Sequence, residues 1–481
     1  MDISKIKKQY NELTLSAKAT LWFIFCSIIQ KALLIITTPI FTRLLTTDQY
    51  GEYTMYTSWL QIFTIIATLR LNGGGFNKAM SKYPDRRDDY VASLQTVTTA
   101  LTAGLFIIYF LLRDQINSFT ELSTIVTSGM LIELVFSSAI NFWTIRNRYE
   151  YKYKAVVVVT ILIALSNVLI GLIAVLLTSE AKGTARVLSC IVVQVIIGGV
   201  IFFQNYRRAH KSVDRELVKY ALGFSIPLLP HYFSMYVLEQ SDRIMIQKMC
   251  GISYAALYGV AYSAGLLLKI VTESITNALI PWMYEKLERK EFSAIRKKFM
   301  PIFYAVIAML SLFICFAPDI IMILAGEKYR EAIYVIPPVT ASIFFIFIYT
   351  IFANIEFFYE MKKFTMYISM GGAVLNLILN YLLINAFGFV AAAYTTLICY
   401  ALFTLGHWIF ASILTKKHCG ESVFRTNTIL IPSAIIITMT LVMSILFKYT
   451  AVRYILIIGM SIGILFKRDY FITMIKQLKN E

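Results

Sequence analysis

Charge is scarce in this chain, and acid is the scarcer sign. Charged residues make up 15% of 481 positions, with 28 Asp and Glu against 45 Lys and Arg. An average soluble domain carries about 25% charged residues. Hydrophobic residues reach 58% and mean hydropathy is +0.68, too much apolar surface for one water-soluble core. The bilayer is the natural solvent. The six cysteines (Cys26, Cys190, Cys250, Cys315, Cys399, Cys419) form no C-x-x-C pair, and the four histidines lack ligand spacing. Those absences exclude a disulfide framework and a metal site. No stretch alternates polar and apolar residues over about ten positions, which excludes a membrane barrel. No small-residue cleavage site follows the first apolar run, so that run reads as a retained helix rather than a signal peptide.

What is present is a series of apolar runs. A spanning helix needs about 20 mostly apolar residues. Such runs fall at 19–41, 56–76, 90–112, 121–144, 155–178, 185–204, 218–247, 254–281, 299–324, 335–358, 364–385, 388–414, 428–447 and 452–467. Helices are the only economical reading, because lipid satisfies no backbone hydrogen bond. The fold class is therefore all-α, a polytopic membrane protein of about fourteen spans with both termini cytoplasmic. Thirty-two of the 45 Lys and Arg then fall on the cytoplasmic side. The outer loops hold nine: Arg43, Arg113, Lys182, Arg186, Lys248, Lys328, Arg330, Lys448 and Arg453. That asymmetry is the positive-inside pattern. It explains the net charge of +17 without nucleic acid as a partner.

A weak internal repeat runs through the chain. Tyr50-Gly51 recurs as Tyr258-Gly259, Tyr149-Glu150-Tyr151-Lys152 as Tyr359-Glu360-Met361-Lys362, Asn167 as Asn376, and Gly183 as Gly388. The offsets lie between 205 and 210, each at the same place in the helix count. Six spans per repeat is an even number, so both copies insert alike and relate by a pseudo-twofold axis along the membrane normal. Parallel repeats of that kind build transporters with the substrate site at the repeat interface. The expected domains are an N-lobe of spans 1–6 (1–210), a C-lobe of spans 7–12 (211–420), and two further spans with a cytoplasmic tail (421–481).

Several residues along these repeats carry a resemblance. The span-one exit Phe41-Thr42-Arg43-Leu44-Leu45, with Asp48-Gln49-Tyr50-Gly51-Glu52-Tyr53, is similar to that of oligosaccharide flippases. So are Gly73-Gly74-Gly75-Phe76-Asn77-Lys78 and the segment from Leu238 through Asp242-Arg243 to Leu257-Tyr258-Gly259. With the 6 + 6 + 2 layout, the whole chain resembles a Wzx-type polysaccharide flippase of the multidrug/oligosaccharidyl-lipid/polysaccharide superfamily. The resemblance implies a bacterial inner-membrane protein that carries an undecaprenyl-diphosphate-linked oligosaccharide from the cytoplasmic to the outer leaflet. Its glycan would serve O-antigen, capsule or exopolysaccharide synthesis. It further implies alternating access of two lobes, no cofactor beyond coupling to a H+ or Na+ gradient, and a polysaccharide polymerase and chain-length regulator as partners besides membrane lipids. The nearest rivals are a multidrug cation antiporter of the same superfamily and a peptidoglycan-precursor flippase. A membrane glycan polymerase or ligase is a more distant one. No outer loop gathers paired carboxylates or a His/Arg cluster, so no catalytic residue is expected.

Ionisable residues at membrane depth cost several kcal/mol and usually face a cavity or a partner. Lys31, Arg70 and Lys269 are the expected cavity cations that bind the diphosphate. They lie on spans one, two and eight, where the resembled family carries such cations. Arg70 is expected on the helix that ends in the Gly73–Gly75 run. Those glycines lack the Lys-Ser/Thr of a phosphate loop and read as helix termination or close packing. Glu133, Glu239, Asp242, Glu273 and Glu356 are the expected gating or coupling acids. Lys31 maps onto Glu239 under the repeat offset, which suggests an inter-lobe pair. Lys269 and Glu273 share a helix face at i and i+4. Asp242 reads with Arg243 as mainly structural. Glu133 and Glu356 have no sequence-evident partner and read as protonation or coupling-cation sites. Pro227 and Pro230 are expected to kink span seven.

Overall fold

The computed structural model describes residues 14–466, without the side chains of 27–28, 30–32, 34–35, 74, 362–363, 365 and 464. The described residues form helices and no strand. The chain divides into two compact units, 1–240 and 241–481. The basic segment 1–13 and the tail 467–481, both expected to be cytoplasmic, lie outside the described residues.

The first unit holds α1 (Leu15–Leu44), α2 (Thr47–Thr68), α3 (Gly74–Lys82), α4 (Arg87–Leu111), α5 (Arg113–Thr120), α6 (Thr124–Tyr149), α7 (Tyr153–Leu177), α8 (Lys182–Arg208) and α9 (Arg215–Ser225). A 3-10 turn, Ile226–Leu228, then leads into α10 (Leu229–Cys250), which runs on into the second unit. That turn contains Pro227, where the expected kink falls; a proline ring removes one backbone donor and clashes with the preceding turn. The second unit continues with α11 (Ile252–Glu288), α12 (Phe292–Cys315), α13 (Ala317–Leu324), α14 (Ile336–Phe358), α15 (Lys362–Phe387), α16 (Ala391–Cys419), α17 (Thr426–Leu446) and α18 (Thr450–Phe466). A helix thus lies at each of the fourteen expected spans. Eleven described helices are long and apolar enough to cross a membrane. Helices α1 and α18 add the shorter apolar stretches Leu15–Cys26 and Thr450–Gly463.

The second expected span is out of register. Thr46 Oγ1 accepts from the Gln49 amide at 3.2 Å while Gln49 Oε1 accepts from the Thr46 amide at 3.1 Å. This reciprocal capping box starts α2 at Thr47, nine residues before the apolar run at 56. Its 22 residues extend about 33 Å at 1.5 Å each, already a membrane thickness. The helix accordingly stops at Thr68, and Leu69 and Arg70 turn left-handed at φ 46° and 54°. The glycine run therefore begins a helix instead of ending one: Gly73 caps α3 in extended conformation. The ninth expected span also divides, at Phe316, where Pro318 suits the first turn of α13 but not the interior of a longer helix.

The repeat is visible in backbone geometry. Helices α6 and α14 end at Tyr149 and Phe358, and each is followed by a left-handed residue, Tyr151 at φ 54° and Glu360 at φ 61°. The Lys152 amide closes onto the Asn147 carbonyl at 2.8 Å, and the Met361 amide onto the Glu356 carbonyl at 2.9 Å. Helices α7 and α15, and α8 and α16, begin the same 209 residues apart. One proposed correspondence fails: Gly183 lies inside α8, whereas Gly388 is the positive-φ residue (76°) that terminates α15.

Within the first unit α8 packs on α6 and α7, and an aromatic cluster joins α3, the start of α4 and the end of α6, with Phe76 stacked on Phe142 at 6.0 Å. Within the second unit α14 is the hub. It packs on α11, α16 and α17, and 83% of its most apolar window is buried.

Candidate functional site

Arg70 occupies the left-handed turn between α2 and α3. Its amide donates to Thr68 Oγ1 at 3.3 Å, which fixes the turn. Nη1 donates to the Tyr236 hydroxyl at 3.0 Å, and the guanidinium carbon lies 5.3 and 5.6 Å from the Tyr232 and Tyr236 rings. Nε is buried without a hydrogen-bond partner. Among the described residues no carboxylate lies within salt-bridge distance of it. This is an arginine oriented by aromatic faces with donor capacity left over.

The acids have partners that sequence spacing does not reveal. Glu133 on α6 is buried and accepts from the Tyr56 hydroxyl on α2. In the second unit Asp242 is 1% exposed and accepts three hydrogen bonds: Tyr258 Oη at 2.5 Å, Thr396 Oγ1 at 2.6 Å and Asn380 Nδ2 at 2.7 Å. Asn380 Nδ2 also reaches Asn376 Oδ1 at 3.1 Å, and Ser241 donates to the same Asn376 oxygen at 3.0 Å. α10, α11, α15 and α16 thus meet at one cluster of carboxylate, amide and hydroxyl oxygens. Glu356 on α14 is fully buried, and its Oε1 lies 2.8 Å from His407 Nδ1 on α16. Tyr349 stacks on the same imidazole at 5.6 Å.

The remaining expected residues are dispersed. Lys269 lines a cleft with Tyr262, Thr396 and Tyr400 whose volume of about 10 Å³ has room for about one water. Glu273, one turn along, is exposed. Glu239 is half-buried on α10, and Arg243 lies with its guanidinium 4.6 Å from the Tyr262 ring. Lys31 sits on α1, but its side chain is among those not described, so the expected Lys31–Glu239 pair lies outside the described residues. No group of three His, Cys, Asp or Glu side chains converges among the described residues.

The described residues form a polytopic helical bundle with buried charges, and the sequence decides the family. Residues 16–287 match the model of the polysaccharide biosynthesis protein family. The chain belongs to that family.

The chain is also similar to curated proteins and solved structures. A protein of the Lsg locus of Haemophilus influenzae is 22% identical over 342 residues, covering 68% of this chain and 80% of the relative. An uncharacterized membrane protein of Methanocaldococcus jannaschii is 26% identical over 200 residues, covering 41% and 46%. Among solved structures, the lipid II flippase MurJ in an inward closed conformation superposes with a TM-score of 0.67 at 12% identity, covering 94% of this chain and 100% of that one. An inward-facing multidrug resistance MATE transporter of the MOP superfamily gives 0.59 at 13% identity, covering 80% and 95%. This member of the polysaccharide biosynthesis family therefore has a polytopic helical fold like those of MurJ and the MATE transporter.

Two cations in this family member depart from their expected places. Arg186 and Arg453, expected in outer loops, lie within α8 and α18 and are 5% and 4% exposed. Arg186 lies in the second turn of α8, where Nη1 donates to the Asn167 carbonyl at 3.0 Å and to Ser189 Oγ at 3.3 Å. Phe41 and Tyr53 cover the guanidinium at 4.1 and 5.0 Å. Gly171 leaves the space, since a Cβ there would collide with Nη1. Arg453 on α18 pairs with Asp319 and donates to the Cys315 carbonyl at 3.1 Å. A cation near a span end reads as exposed in a hydropathy profile. Burial depends on which aromatic and carbonyl groups neighbouring helices bring to it. The helical periodicity of Gly171 with Asn167, one turn apart, was the available signal for Arg186.

Proposed function

We propose that this protein is a flippase for an undecaprenyl-diphosphate-linked oligosaccharide, moving it from the cytoplasmic to the outer leaflet of the bacterial inner membrane for polysaccharide assembly. Family membership supports polysaccharide biosynthesis, and the multi-pass helical fold supports a transport role. The observation that carries the substrate class is Arg70. A guanidinium held by two tyrosine faces, with no carboxylate in salt-bridge distance among the described residues, offers two-pronged donor geometry to an anion such as a diphosphate. Lys31 and Lys269 are proposed to add positive charge along the same route, and alternating access of the two units supplies the movement. The polymerase and chain-length regulator of the resulting glycan are the proposed partners.

The proposed coupling site is the oxygen cluster around Asp242. Carboxylate, amide and hydroxyl oxygens are the ligands a hard cation prefers, and the carboxylate also offers a proton site. Coupling to a Na+ or H+ gradient there would tie the second unit to ion entry, with Glu133 and Glu356 as further buried acids.

Export of the glycan in a strain that depends on this protein tests the substrate reading. Arg70→Ala should reduce export severely while the protein stays in the membrane. Arg70→Lys should recover only part, because an ammonium lacks the two-pronged donor geometry. Normal export by Arg70→Ala/Lys31→Ala would overturn the anionic-substrate reading.

A further inference from the structure

At one end of the second unit, the end that charge asymmetry assigns to the cytoplasm, an open cavity of about 360 Å³ lies among three helix ends. Arg296 comes from the first turns of α12, Trp408 and Lys416 from the last turns of α16, Glu421 from the connection, and Arg425 and Thr426 from the start of α17. The volume falls within the range of small-ligand sites, about 300–1,000 Å³.

Nearly everything polar on this wall donates. Arg296 is held in place: Nη1 and Nη2 each lie 3.2 Å from Glu421 Oε2, and Nη1 is 2.9 Å from the Ser422 carbonyl. Lys416 and Arg425 are exposed. The indole Nε1 of Trp408 is buried and has no hydrogen-bond partner. No side chain caps the start of α17, so its first amides add positive potential. Three cations face one carboxylate, and that carboxylate is already engaged.

The internal repeat supplies a control. In the first unit Arg86 makes the corresponding clasp, pairing with Asp214 and, at 2.8 Å, with Glu216. Arg86 and Arg296 are 210 positions apart, and Asp214 and Glu421 207 apart, matching the repeat offset. There one arginine meets two carboxylates, with Lys211 4.0 Å from Asp214, so both acids are engaged by cations. The second unit keeps the clasp, has one acid instead of two, and carries three cations, Arg296, Lys416 and Arg425, on its wall. The clasp alone explains the first cluster; it leaves the extra cations and the cavity of the second unexplained.

We propose that this cavity binds a phosphate group, supplied by an anionic lipid headgroup of the adjoining leaflet or by a free diphosphate. Lys416 and Arg425 provide the charge, Arg296 the positioned guanidinium, and the α17 N-terminus the amide donors. Basic pockets between membrane helices on the cytoplasmic side hold lipid phosphates by this means. The site is distinct from Arg70 and does not depend on the flippase reading.

Binding to the purified full-length protein tests this, read as thermal stabilisation and by native mass spectrometry. The protein is placed in nanodiscs of phosphatidylcholine alone or of phosphatidylcholine and phosphatidylglycerol in equal parts, and separately titrated with inorganic pyrophosphate. Phosphatidylglycerol binding without pyrophosphate binding assigns the lipid source; the converse, or both, assigns the phosphate itself. Lys416→Gln and Arg425→Gln change exposed side chains and should leave the fold intact. Each should weaken binding about fivefold and the pair together about thirtyfold, at roughly 1 kcal/mol per surface cation. Trp408→Phe should weaken it by removing the indole N–H while keeping an aromatic ring, and the effect of the Lys416→Gln/Arg425→Gln pair should persist in an Arg70→Ala background. Absence of binding by both ligands, or binding unaffected by the Lys416→Gln/Arg425→Gln pair, would overturn the proposal.

Discussion

Asp242 gives the sharpest separation between what a buried carboxylate does for the fold and what it does for transport. Its three donors are not equivalent. Tyr258 and Thr396 approach through hydroxyls, which accept as readily as they donate. Asn380 is locked the other way round, because its Oδ1 accepts from Thr395 and its Nδ2 must donate. Asp242→Asn can therefore point its carbonyl at Asn380 and its amide at the two hydroxyls, which reverse. Asp242→Ala leaves all three groups without that partner. Side-chain hydrogen bonds in a membrane protein average about 0.6 kcal/mol and reach about 1.7. Three of them, with the small void, give a loss of about 2–4 kcal/mol for alanine, against less than about 1 for asparagine. Thermal unfolding of the detergent-solubilised protein reads this difference. Equal destabilisation by the two variants would refute the hydroxyl-reversal argument. If Asp242 also couples ion entry, Asp242→Asn should remain folded yet lose the dependence of export on the ion gradient.

Further consequences can be checked on the same protein. Gly372→Ala should destabilise by about 1–3 kcal/mol through overpacking, because a Cβ there would collide with the Phe403 ring; Gly371→Ala, with open space around it, should be nearly silent, and Phe403→Leu should relieve the Gly372→Ala defect in thermal unfolding. Tyr56→Phe removes the hydroxyl that donates to Glu133 and should cost about 0.6–1.7 kcal/mol, less in a Glu133→Gln background, as a double-mutant cycle would show. The Arg86 hydrogen bond holds the Asp214 carboxyl below its usual range, with added help from the Leu217 and Glu216 amides. A depressed folded-state pKa means the stabilisation is complete above the ordinary Asp value, about 3.9, and fades as pH falls through the lower folded value. Hydrogen exchange at the start of α9 should therefore accelerate only below about pH 4, and Asp214→Asn should abolish that pH dependence.

The helix count and the repeat are legible because both are written in local patterns: apolar length, and motifs such as Tyr149-Glu150-Tyr151-Lys152, whose backbone role as a left-handed helix end depends on nearby residues. The register of α2 was less so, since hydropathy ignores a polar first half that the Thr46–Gln49 cap still makes helical. The partners of Glu133, Asp242 and Glu356 lie 77, 138 and 51 residues away at Tyr56, Asn380 and His407. No spacing rule connects them; they meet only once the bundle is assembled. Buried Arg186 and Arg453 fail to stand out for the same reason, as the groups that cover them come from other helices.

A flippase sets the leaflet in which the lipid-linked oligosaccharide resides, and that leaflet can be measured. In cells depleted of this protein, the intermediate should accumulate on the cytoplasmic face, inaccessible to a membrane-impermeant glycan-modifying enzyme added outside. Re-expression should restore access, and the Arg70→Ala form should fail to do so. Accumulation of the intermediate on the outer face after depletion would contradict the account, because the protein would then act after translocation.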